Sequence, residues 1–319
     1  VHFVRSPPSL GNRALPAAMT SPLVATEYLT KSYGSFTALE GCTLTVARGE
    51  IFGLLGPNGS GKTTLLRTLM GFLRPTAGTA TIDGLDCYRQ ARQVHARVSY
   101  LPAEARLFRG MDGYQVLRFF QSARPDGDLP RALELAERLE LDLSRPVTRC
   151  STGMRQKLAL VAILAIKAPL LILDEPTSNL DPTTRAQVLH IVQEAREAGQ
   201  TVIFSSHVLS EIEAICDRVA VLRRGQLVHL QALAELNRQH RIEARLAGTL
   251  PPLPPQLANV EVQRNGDQWV AFRTEGDLLP VLHWLSEQQV TDVRVRPAGL
   301  QTVYERFHPH VAGGVKSPG

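Results

Sequence analysis

Gly56-Pro57-Asn58-Gly59-Ser60-Gly61-Lys62-Thr63-Thr64 decides how this 319-residue chain is read. The stretch fits G-x-x-x-x-G-K-[ST], with Gly56, Gly61, Lys62 and Thr63 at the required places. The apolar run Ile51-Phe52-Gly53-Leu54-Leu55 precedes it, and Leu65-Leu66-Arg67-Thr68-Leu69-Met70 follows with helical spacing. Glycines let such a loop curl until its N–H groups converge on phosphate oxygens, and the following helix adds the positive end of its dipole. The spacing predicts that Lys62 reaches the β- and γ-phosphates of a nucleoside triphosphate and that Thr63 offers its hydroxyl to Mg²⁺. Pro57, Asn58, Gly59, Ser60 and Thr64 complete the expected cradle.

A second apolar run, Leu170-Leu171-Ile172-Leu173, ends in Asp174-Glu175-Pro176. Runs this apolar read as buried parallel strands, and such sheets bind ligands at the carboxyl ends of their strands. The strand is expected to pair with the strand of the phosphate loop. Asp174 would support Mg²⁺ through water, and Glu175 would accept a proton from an attacking water. The same two acids also fit a helix cap. Cys150-Ser151-Thr152-Gly153-Met154-Arg155-Gln156 opens a strong helical run, which an ordinary N-cap would explain equally well.

Outward from these stretches, residues 1–20 read as a disordered leader, with Met19 near the expected start. Residues 21–240 form an α/β unit of short strands, a helical insert at about 103–160, and a return to strand–helix alternation. Pro251-Pro252-Leu253-Pro254-Pro255 marks a linker over 241–258. Residues 259–309 read as a small α+β unit with Trp269 and Trp284 in its core, and 310–319 as a disordered tail.

The net charge is +5 with scattered basic residues, which fits solvated surface or contact with an anionic membrane or nucleic acid. Aromatic content of 6% argues against a base-stacking platform, and no nucleic-acid partner is expected. Cys42, Cys87, Cys150 and Cys216 form no CxxC pair, so a zinc site is not expected and a reducing compartment is. No run reaches the length of a membrane span; the longest apolar candidate, Leu158 to Ile166, is closed by Lys157 and Lys167.

In this order the motifs resemble those of the ATP-binding subunits of ABC transporters, over about residues 22–230. Gly56 to Thr64 looks like Walker A, 150–154 like the signature loop and 170–175 like Walker B. Ser178-Asn179-Leu180-Asp181 resembles the D-loop. The resemblance implies that Tyr33 stacks on adenine and that His207, a buried polar histidine closing strand 201–206, reaches the γ-phosphate. A core Tyr and a core or surface His are the plain alternatives. It also implies that Ser151 and Gly153 contact ATP held by a second subunit, head to tail, and that Asp181 belongs to the nucleotide-binding residues. Two departures stand out. The signature reads Cys150-Ser151-Thr152-Gly153-Met154, and the expected Q-loop glutamine is replaced by Ala103, leaving Glu104 as the candidate metal-side residue. Ser-Thr-Gly-Met-Arg-Gln-Lys and Tyr-Leu-Pro-x-Glu, with the C-terminal unit, are similar to the type-2 exporter branch. The resemblance thus implies a P-loop core of ABC ATPase type with an antiparallel β subdomain. It further implies ATP hydrolysis with Mg²⁺, a multi-span membrane permease as partner, and a peripheral place at the cytoplasmic membrane face. A soluble ABC-type ATPase and an importer subunit are the alternatives.

Overall fold

The computed structural model describes residues 21–236, 239–246, 250–257, 260–265, 269–275, 278–288, 290–297 and 299–307. The expected leader, the Met19 start and the 310–319 tail lie outside the described residues. The first third runs β1 (Val24–Tyr33), β2 (Phe36–Val46), β3 (Ile51–Leu55), α1 (Lys62–Leu69), β4 (Ala77–Ile82), β5 (Leu85–Asp86), α2 (Ala91–His95) and β6 (Val98–Leu101). Next come α3 (Gly113–Ser122), α4 (Leu129–Arg138), α5 (Thr152–Leu164), β7 (Leu170–Asp174), α6 (Pro182–Glu197), β8 (Thr201–Ser206) and α7 (Leu209–Ile215). The remainder is β9 (Arg218–Arg223), β10 (Gln226–Ala232), α8 (Leu233–Leu236), β11 (Gln239–Leu246), β12 (Glu261–Asn265), β13 (Trp269–Glu275), α9 (Leu279–Ser286), β14 (Val290–Pro297) and α10 (Gly299–Phe307).

A central sheet has the order β10-β9-β3-β8-β7-β6, parallel except for the β9–β10 hairpin. The strands β3, β7 and β8 are buried along their whole length because both faces are covered, whereas the edge strand β10 is polar in part and more exposed. Strand alternation sends Ile51, Leu171, Leu173, Val202 and Phe204 into one core with the helices α3 to α7. Phe52, Leu54, Leu170, Ile172 and Ile203 enter a second core with α1 and an antiparallel sheet of order β2-β1-β4-β5. The parallel strands all end on one edge, and that edge carries Leu55, Asp174 and Ser206. β8 lies between β3 and β7, so the expected direct pairing of the loop strand with the acidic strand does not occur. The apolar runs establish that these strands are buried but not their lateral order.

The helical insert is built by caps and one buried side chain. Asp112 and Gln115 form a reciprocal capping box at α3, and Asp128 caps α4, which has Pro130 in its first turn. Gln121, buried on α3, donates to Ala162 O at 2.8 Å and accepts from Asp128 N at 3.0 Å, tying α3, α4 and α5 together. Glu194 of α6 accepts from Arg131 and Arg138 of α4, and these bonds hold its carboxyl down at about 2.

The linker expected over 241–258 begins later than the sequence reading placed it. Residues 239–246 are the inner strand β11 of a third sheet, order β12-β13-β11-β14. Ile242, Ala244 and Leu246 alternate inward to meet Phe272, Val270 and α9, where Trp284 is buried. Trp269 is only half buried, with Arg294 over its ring. The last helix, α10, leaves this unit for the main core. Leu300 is fully buried in the same cluster as Ile212 and Ile215, with Val303 and Tyr304 against it. Leu300 N donates to Glu213 of α7.

Candidate active site

The loop from Gly56 to Thr64 joins the end of β3 to α1 and lines a cavity of about 250 Å³. Gly61 sits at φ +109, where a Cβ would lie 2.8 Å from Ala38 O, so only glycine lets the chain turn into α1 there. Lys62 is buried and folds back over its own loop, donating to Gly56 O at 2.6 Å. Its Nζ is also 3.1 Å from Glu175 Oε1, a charge contact off the line of a hydrogen bond. Ser60 Oγ and Glu175 Oε1 are buried in the cavity lining without a hydrogen-bond partner among the described residues. Such orphaned oxygens mark a place built for a further polar group.

The acidic pair sits at the end of β7. Asp174 is fully buried, and burial pushes its carboxyl above the usual range, against the opposing hydrogen bonds of Ser205 and Thr63. Thr63 Oγ1 donates to Asp174 Oδ2 at 2.9 Å. Ser205, on the intervening strand β8, donates to Asp174 Oδ1 at 2.7 Å and accepts from Glu175 N at 3.0 Å. Thr63 and Asp174 thus present hard oxygen donors side by side, the donor type that suits Mg²⁺. Glu175 has φ +51, a backbone conformation that costs about 1–3 kcal/mol for a non-glycine residue and collects at functional sites. That turn aims its carboxylate between Lys62 and His207, whose Nδ1 lies 2.7 Å from Glu175 Oε2.

His207 was expected to be buried. Its side chain is 55% exposed, because it stands beyond the last sheet residue, at the open edge. Glu104 is exposed and does not line the cavity, whereas Ala103 does. Tyr33 lies at the exposed end of β1 with Lys31 Nζ 4.9 Å from its ring centre, and it is outside the lining. Its cross-strand partner Phe36 does line the cavity. Phe36 follows the Gly34-Ser35 turn by one residue, so the hairpin itself was the signal that two aromatics, not one, stand there.

Ser151 and Gly153 also lie away from this cavity. Ser151 is exposed and caps α5 by accepting from Met154 N at 3.2 Å, so the plain N-cap geometry is present. A Cβ on Gly153 would come within 3.0 Å of Asn179 O, which brings the start of α5 against the loop after β7. Gln156, buried on α5, donates to Pro176 O at 2.9 Å and fixes that approach, a role its place in the helix-opening stretch does not disclose. Asp181 is exposed and caps α6, accepting from Thr184 N and Oγ1, which hold its carboxyl below its usual value.

A glycine-rich turn between a parallel strand and a helix, with carboxylates at the same sheet edge, defines a P-loop nucleotide-binding domain. Residues 39–178 match the family model described as ABC transporter. The chain belongs to the ABC transporter ATP-binding family. It is 38% identical over 206 residues to an uncharacterized ABC transporter ATP-binding protein of Nostoc sp., covering 62% of this chain and 61% of that relative's length. It is 39% identical over 215 residues to a daunorubicin resistance ATP-binding protein of Streptomyces coeruleorubidus, covering 66% of this chain and 68% of the relative. A Nod factor export ATP-binding protein of Ralstonia nicotianae is 32% identical over 308 residues, covering 92% of this chain and 95% of the relative. Among solved structures, the ATP-binding subunit of an ABC transporter superposes with a TM-score of 0.63 at 28% identity, covering 68% of this chain and 92% of that one. The described residues contain no helix long and apolar enough to cross a membrane.

Proposed function

We propose that this chain is the ATP-hydrolysing motor subunit of an exporter. Two such subunits pair head to tail around two ATP and drive a separate membrane permease from the cytoplasmic face. The observation that carries the hydrolytic reading is the Glu175 carboxylate, held at the mouth of the phosphate loop between Lys62 at 3.1 Å and His207 at 2.7 Å. In this reading the Gly56–Thr64 loop and Lys62 hold the β- and γ-phosphates. Thr63 and Asp174 would hold Mg²⁺, which when bound neutralises phosphate charge. Glu175 takes the proton of the attacking water, and His207 orients Glu175 through the bond at Nδ1. Ser151, Gly153 and Asp181, exposed or part-exposed and away from the chain's own cavity, are free to meet nucleotide held by the partner. Export is supported by the names of the Nod factor export and daunorubicin-resistance relatives.

The test is turnover and assembly together. Glu175→Gln is expected to keep ATP affinity, lose turnover by about 10²–10⁴-fold and accumulate as an ATP-bound dimer on size-exclusion chromatography. Wild-type turnover by that variant would remove Glu175 from the chemistry. A tagged Glu175→Gln pull-down from detergent-solubilised membranes should recover a multi-span protein. Recovery of ribosomal or DNA-bound proteins alone would overturn the transport reading.

A further inference from the structure

The short helix α7 follows His207 by one residue and carries a carboxylate that the chemistry above does not use. Glu211 is 3% exposed. Its Oε2 accepts from Ser206 Oγ at 2.6 Å and from Thr177 Oγ1 at 2.9 Å. Its Oε1 lies 3.4 Å from Arg185 Nε, a charge contact without hydrogen-bond alignment. Each partner belongs to a different segment at the nucleotide edge. Ser206 Oγ also accepts from Val208 N at 3.0 Å, so it clamps the two residues that flank His207. Thr177 closes the turn after Glu175, in which Ser178 N donates to Glu175 O at 3.2 Å and Leu180 N to Thr177 O at 3.3 Å. Arg185 reaches Leu180 O at 3.3 Å from the first turns of α6, beside the Asp181 cap.

We propose that Glu211 is a positioning residue that holds the His207 turn and the Glu175 turn in mutual register. The 2.7 Å contact between His207 Nδ1 and Glu175 joins two segments that Ser205 Oγ ties on the strand side, at Glu175 N and Asp174, and that the hydroxyl pair on Glu211 ties beyond His207, on the side of the α7 turn. An exposed histidine loses entropy when held to one partner, so the register must be imposed from behind. A buried carboxylate does this well, because one oxygen accepts two hydroxyls at once and both are unsatisfied without it. Glu211 touches neither nucleotide loop nor cavity, so it acts only through its neighbours.

The inference rests on the hydrolytic reading, and two readouts separate their failures. Glu211→Ala is expected to lower kcat about 10–100-fold while the dissociation constant for ATP stays within about twofold. Glu211→Gln keeps an acceptor and should recover most of the loss. Independently of turnover, the His207 ring ¹⁵N signals should move toward those of a free imidazole in Glu211→Ala and not in Glu211→Gln. Where Glu211→Ala fails to fold, Thr177→Val removes one bond with little change of volume and must show the same split between kcat and affinity. Unchanged His207 signals, or equal losses in kcat and ATP affinity, overturn the positioning role. A wild-type chain without ATP turnover would overturn the hydrolytic reading, and this inference with it.

Discussion

Lys62 sits at the floor of the loop with its charge turned onto Gly56 O and toward Glu175. Its replacement by Ala removes the one ammonium in the cavity lining among the described residues, so Lys62→Ala should weaken ATP binding by at least about tenfold, measured by fluorescent-nucleotide titration. Glu104 behaves oppositely. It is exposed and outside the cavity, so Glu104→Ala should leave both ATP affinity and turnover within about twofold of wild type, as a coupled phosphate-release assay would read. The strand–loop–helix around Gly56 to Thr64 was legible in the sequence because its pattern is local: nine consecutive residues form the loop. The tie between Glu175 and His207 was not, since it depends on Ser205 of the strand between them and on Glu211 behind them. Exposure of His207 likewise follows from where the sheet edge falls, which no local pattern encodes.

At the scale of elements, the insert is pinned to the nucleotide-binding unit by Glu194, which both Arg131 and Arg138 address. Its folded-state value is depressed, from 4.5 to about 2, so the unfolded chain binds the proton more readily and stability rises with pH. The stabilisation is fully present above about pH 5, drops below half near pH 3, and is lost as pH falls through about 2. With the side chain 28% exposed, screening reduces the contribution to about 1–2 kcal/mol. Urea unfolding of Glu194→Gln should therefore show that deficit at pH 7 and a much smaller one at pH 3; an equal deficit at both would remove the ionic account. The sequence displayed helical spacing in the insert and the β9–β10 hairpin turn at Arg224-Gly225 clearly. It also displayed β11, where Ile242, Ala244 and Leu246 alternate with charged residues, but the proline run that follows drew the linker across it.

At the scale of the whole molecule, the C-terminal unit is an excursion from the main core. The chain leaves after α8, builds its own small sheet, and returns with α10. The spacing of Leu300, Val303 and Tyr304 marks an apolar helix face, but nothing in sequence says that its seat is α7. Leu300→Ala should cost about 2–4 kcal/mol, because a fully buried leucine is removed from a packed site. Calorimetry should place that loss in the transition of the nucleotide-binding unit; a loss confined to the small unit would show that the seat is peripheral. The return of α10 also sets an order of events during synthesis. Domains ordinarily fold as they emerge, N-terminal first. Here the core cluster that includes Ile212 and Ile215 of α7 receives Leu300, Val303 and Tyr304 only after the C-terminal unit has been synthesised. Until then the part of α7 that Leu300, Val303 and Tyr304 cover lacks those neighbours, and a nascent chain stalled within the C-terminal unit would present it to chaperones.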